Sequence, residues 1–125
     1  MDDLPIPEDV RDFILRYIDS VAQLEALLLL RRTPAQKWDV ATTAQRLYTS
    51  EEEVSDVLAR LAADGLLSFT DGVYRYDCQS AELRQVVDRL AETHARHLIP
   101  VTNMIHAKPR RIREFADAFK FRKDR

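Results

Sequence analysis

Cys78, His94, His97 and His106 are the residues of this 125-residue sequence best suited to bind a soft metal ion. His94 and His97 lie three apart, so on a helix both leave one face, and a zinc site would need Cys78 or His106 to join them. Pro100 falls between the pair and His106 and disturbs that geometry, so the ordinary expectation is a pair of half-buried seam histidines. A second use would be pH-dependent association, because two copies facing each other would repel once protonated. The lone Cys78 can form neither an internal disulfide nor a CxxC pair, which agrees with a reducing compartment. The chain has two glycines, too few for a nucleotide cradle, and carries neither HExxH nor G-x-S-x-G. These absences lead us to expect no enzyme activity, no cofactor and no resident metal.

The elements that must carry any other function come from a chain that is 46% apolar and 32% charged. This balance suits one globular domain with its own core. The longest apolar run, residues 26–30, is far short of the ~20 residues of a membrane span, and the acidic start is unlike a signal peptide. The expected location is the cytoplasm, away from membranes. Charge is unevenly placed: residues 1–93 hold 10 Lys and Arg against 18 Asp and Glu, whereas residues 94–125 hold 9 against 3. Such a basic end seeks an acidic surface, whether nucleic acid, a protein partner, membrane phosphate or the body of the same molecule.

Pro7 opens a helix whose buried face is Val10, Phe13, Ile14, Tyr17 and Ile18. Ser20 caps a second, leucine-rich helix that stops at Arg31, Arg32 and Pro34. Residues 36–40 could form a brief strand, and Asp39 or Thr42 could cap a short helix over 42–47 that ends at Tyr48. Ser50 and Glu53 have the spacing of a capping box. The helix they start buries Val54, Val57, Leu58 and Leu61 and ends at Gly65. Residues 66–69 and 73–76 flank Asp71-Gly72, a pair suited to a type I′ hairpin turn. Ser80 caps a long helix with a seam of Leu83, Val87, Leu90, His94, His97, Val101 and Met104, which Pro100 must kink or break. A basic amphipathic helix is expected over 108–125, with Ile112, Phe115, Ala116 and Phe119 on one side among Arg110, Arg111, Arg113, Lys120, Arg122 and Lys123.

The order of these elements, with the stretch SEEEVSDVLARLAADGLLSFTDGVYRY at its centre, resembles the winged helix-turn-helix core of MarR-like bacterial transcriptional regulators. The expected fold is mostly α (α+β): a winged-helix domain over 1–107 with its core at 35–78, extra N- and C-terminal helices, and a separate helix over 108–125. The resemblance implies a regulator that binds double-stranded DNA as a homodimer, with the helix over 51–64 in the major groove and the hairpin as wing. The residues it assigns to DNA are Lys37, Thr43, Arg46, Ser55, Arg60 and Arg75. Leu83, Val87, Leu90, His94 and His97, with Arg110, Arg111, Arg113, Phe115 and Phe119, would form the dimer or partner interface. The seam could instead be one face packed on the first two helices.

The chain departs from the pattern in charge. Glu51, Glu52, Ser55, Asp56, Ala59, Arg60 and Ala63 face outward from the recognition helix, so carboxylates stand where phosphates would lie. First-turn acids also stabilise their own helix, by about 0.3–1 kcal/mol each at low salt. A second expectation therefore stands beside DNA binding, namely a winged-helix adaptor that has lost its nucleic-acid face. Such an adaptor would use the acidic helix or the basic C-terminal helix to hold another protein.

Overall fold

A computed structural model describes residues 6–108. The helix expected over 108–125, with Arg110, Arg111, Arg113, Phe115 and Phe119, falls outside them except for Lys108. Among the described residues the chain is an α+β protein, mostly helical, in the order α1 (Glu8–Tyr17), α2 (Val21–Arg32), α3 (Val40–Leu47), α4 (Glu51–Ala63), β1 (Leu67–Thr70), β2 (Val73–Tyr76), α5 (Ala81–Arg96) and α6 (Leu98–Ala107). No helix is long and apolar enough to cross a membrane.

Local chemistry explains most element ends. The Ser20, Asp39, Ser50 and Ser80 side chains each accept a hydrogen bond from the backbone amide three residues on, which satisfies a donor the helix cannot use. Asp39, not Thr42, caps α3, and its carboxyl is held below the ordinary carboxylate range by the Thr42 amide. Only half of the expected capping box forms: the Glu53 amide donates to the Ser50 hydroxyl at 3.1 Å, but among the described residues no bond returns from the exposed Glu53 carboxylate. Gly65 takes φ +84° after α4, the left-handed geometry that glycine adopts without a Cβ penalty.

α2 is the centre of the core. Leu24, Ala26, Leu27, Leu28, Leu29 and Leu30 are all buried, because α3, α4 and β2 pack against this one helix. A leucine run without polar alternation suits a helix covered on several sides.

The strand expected over 36–40 is reduced to one bridge, Trp38 opposite Tyr74. The Trp38 amide donates to the Tyr74 carbonyl at 2.8 Å and the Tyr74 amide donates back at 2.7 Å. β1 and β2 pair antiparallel with Leu67 opposite Tyr76 and Thr70 opposite Val73. Asp71 and Gly72 have φ of 54° and 81°, as a type I′ turn requires. The bridge therefore extends the hairpin by one short neighbour on the β2 side.

The long C-terminal helix divides at His97, three residues before Pro100, with φ −134° and ψ 57°. In an unbroken helix the Pro100 ring would meet the Arg96 carbonyl and could donate nothing to it. With the break at His97, Pro100 sits in the first turn of α6, where an N–H has no intrahelical partner anyway.

Candidate functional site

α4 presents Glu51, Glu52, Glu53, Ser55, Asp56, Ala59, Arg60 and Ala63 at the surface, while Val54, Leu58 and Leu61 are fully buried. Its outward face follows from that burial pattern and matches expectation except at Val57, which is half-buried. Arg60 is the face's cation, and it is engaged: Nη1 donates to Asp19 Oδ2 at 2.7 Å. A guanidinium bound to a carboxylate of its own chain brings little net positive potential to a phosphate. Four exposed carboxylates therefore dominate this surface.

The other expected DNA contacts gather around the Trp38 bridge. Trp38 is 1% exposed, and its indole N–H donates to the Thr33 hydroxyl at 3.1 Å. Arg46, exposed on α3, lies with its guanidinium 5.2 Å from the Trp38 ring centroid, close enough for cation–π attraction. Lys37 and Arg75 are the chain neighbours of the bridged pair Trp38 and Tyr74. Both are exposed. Among the described residues Lys37, Arg46 and Arg75 form no ion pair, whereas Arg31, Arg60, Arg89, Arg96 and Lys108 each do.

Thr43 cannot serve as a DNA contact. Its side chain is fully buried, and its hydroxyl donates to the Asp39 carbonyl at 2.8 Å one turn back in α3. The even, short spacing of the helix gave no sign that this threonine, rather than Thr42, turned inward. Ser55 is exposed as expected but stands among Glu51, Glu52 and Asp56.

The expected dimer seam is corrected in the same way. Val87, Leu90 and Val101 are fully buried within one chain, because α1 packs against α5 and α6. Periodicity announced a covered face, and α1 is its cover; Val87 and Leu90 are therefore unavailable to a second copy. Leu83, His94 and His97 are half-buried. Among the described residues no group of three His, Cys, Asp or Glu could hold a metal ion. Cys78 is buried and its thiol donates to the Tyr76 hydroxyl at 3.2 Å. Burial pushes both the Cys78 thiol and the Tyr76 phenol upward, away from the thiolate that nucleophilic chemistry needs.

Tyr48 is a surface feature that sequence reasoning passed over. It is 96% exposed and takes φ 56° and ψ 43° at the end of α3. Left-handed backbone costs a non-glycine residue roughly 1–2 kcal/mol, and here no packing of the ring offsets it. A bulky residue directly after a short helix, where glycine or asparagine ends helices best, is the signal that could have found it. Tyr48 precedes Glu51, the start of the acidic first turn of α4, by three residues.

Fold and surface together define a small α+β protein with two differently charged faces beside one hairpin. Comparison with known proteins finds no matching family model, no matching curated protein and no matching solved structure.

Proposed function

We propose that this protein is a winged-helix adaptor, a module that acts by holding a basic segment of another protein on the face of α4. The connectivity supports the winged-helix part: a helix, a bridge strand, two helices joined by a tight turn, and a hairpin whose second strand pairs with the bridge. The observation that carries the adaptor reading is the charge of α4. Glu51, Glu52, Glu53 and Asp56 are exposed, and Arg60 is bound to Asp19. A surface of this sign repels a phosphate backbone and attracts Arg or Lys side chains. Tyr48 adds an exposed ring on which a guanidinium can stack.

A second reading, a transcriptional regulator that binds double-stranded DNA, is favoured by a specific observation: Lys37, Arg46 and Arg75 are exposed and form no ion pair among the described residues. Three cations are few for DNA, so this reading calls for a second copy to double them. Leu98 and Ile99, adjacent and exposed at the start of α6, are among the exposed apolar side chains of the described residues, with Leu15, Tyr48 and Phe69, that such pairing could cover.

Fluorescence anisotropy separates the two. A labelled arginine-rich peptide and a labelled DNA duplex are each titrated with the protein at about 50 and about 200 mM salt, a range over which phosphate-driven affinity collapses. The adaptor reading expects the peptide to bind, Glu52→Lys with Asp56→Lys to abolish that binding, and the duplex to stay free. Duplex binding that weakens steeply with salt and is lost in Arg46→Glu with Arg75→Glu overturns it in favour of DNA.

A further inference from the structure

The carboxylate of Asp19, in the corner between α1 and α2, joins two parts of the chain that are far apart in sequence. Lys108 Nζ donates to Asp19 Oδ1 at 3.0 Å, to the Ile18 carbonyl at 2.6 Å and to the Ile14 carbonyl at 3.1 Å. All three ammonium hydrogens are thus engaged, and the lysine side chain is 15% exposed. Two of its acceptors belong to the C-terminal end of α1, where a cation also meets the negative end of the helix dipole. The other Asp19 oxygen accepts from Arg60 of α4 at 2.7 Å. The corner itself is fixed: the Asp19 amide donates to Gln23 Oε1 at 2.8 Å, and Gln23, buried, donates to the Tyr17 carbonyl at 3.0 Å.

A carboxylate is planar and its two oxygens turn together about one bond. A rotation that takes Oδ1 from Lys108 also takes Oδ2 from Arg60. On this ground we propose that the corner is a relay: Lys108 sets the orientation of Asp19 and thereby the last turn of α4, so that whatever displaces the end of α6 loosens α4. Lys108 directly precedes residues 109–125, which carry seven Lys and Arg against three Asp and Glu. The relay does not depend on what α4 binds, and its test contains no ligand.

The test uses the full chain and two readouts. Unfolding equilibria of Lys108→Met, Arg60→Gln and the double variant are measured in urea. The relay expects the double variant to lose less than the product of the single losses, by about twofold or more in the equilibrium constant, because loss of either cation lets the carboxylate turn away from the other. Strictly multiplicative losses overturn it. Amide exchange then locates the effect. In Lys108→Met the Asp64 amide, bonded to the Arg60 carbonyl at 3.0 Å, should exchange about fivefold faster, while the Tyr74 amide of the Trp38 bridge holds its rate. No change at Asp64, or equal acceleration at both amides, overturns the proposal. Asp19→Asn keeps the shape of the corner and serves where Lys108→Met does not fold; it should accelerate the Asp64 and Lys108 amides together and spare Tyr74.

Discussion

α4 and the ribbon around the Trp38 bridge both pack on α2, and they treat their charged residues in opposite ways. On α4 the acids sit in the first turn of a capped helix and the cation is bound to Asp19, so the face stays acidic. On the ribbon the aromatic rings are buried or stacked, Trp38 under Arg46 and Tyr74 against Phe69 at 4.6 Å, and the cations Lys37 and Arg75 form no ion pair among the described residues. Equal exposure therefore does not mean equal availability. A charge reaches a partner only to the extent that its own chain has not already neutralised it.

The strongest way to break the comparison is to remove the ring that organises the ribbon. Trp38→Ala should cost about 3–5 kcal/mol, since it empties a fully packed site and frees the Thr33 hydroxyl. Leu58→Ala, the matching deletion under α4, should cost about 2–5 kcal/mol. Urea denaturation followed by circular dichroism measures both. If Trp38→Ala lost less than 1 kcal/mol, the ribbon would not be part of the core.

Tyr48→Gly sharpens the contrast at the boundary of the two regions. It relieves a left-handed residue that is 96% exposed, so it should raise stability by about 1 kcal/mol in thermal or urea unfolding. The same variant should weaken binding of the arginine-rich peptide. Higher stability with unchanged peptide binding would remove Tyr48 from the proposed surface.

Smaller still is the difference between the two arginines. Arg60→Gln breaks a partly exposed ion pair, for which about 0–1 kcal/mol is expected, with the loss shrinking as salt is added. Arg46→Gln leaves no carboxylate unpaired, so its cost should be nearly independent of salt. A salt-insensitive Arg60→Gln would mean that the pair with Asp19 carries no electrostatic weight.

The least effect is the acid response of the Asp39 cap. Its folded pKa lies below the ordinary 3.8, so its contribution is present above that value and is lost as pH falls through the lower folded value. Asp39→Asn, which can still cap, should flatten this acid limb of the stability profile without moving stability at pH 7 much.

Much of the architecture was legible because it is local. Ser20, Ser50 and Ser80 start helices where a side-chain oxygen can reach an amide three residues on, Asp71-Gly72 turns the hairpin through positive φ, and Gly65 follows α4 for the same reason. These signals act within a few residues and need no distant partner. The break at His97 was half legible: Pro100 announced a fault, but its place depended on which carbonyl the ring would strike.

The candidate site was legible in outline and misread in detail. The spacing of Val54, Leu58 and Leu61 fixed which side of α4 faces water, and hence that Glu51, Glu52 and Asp56 are on it. That Thr43 is buried, that Arg60 is held by Asp19 and that Val87 and Leu90 are covered by α1 all depend on elements the fold brings together. Periodicity says that a face is covered but not what covers it, and composition counts a cation without showing whether it is paired. Hydrogen-bonded caps and turns are set by near neighbours and so were written in the sequence. Burial and charge pairing are set by whichever elements the fold brings together, and only the tertiary structure decided those.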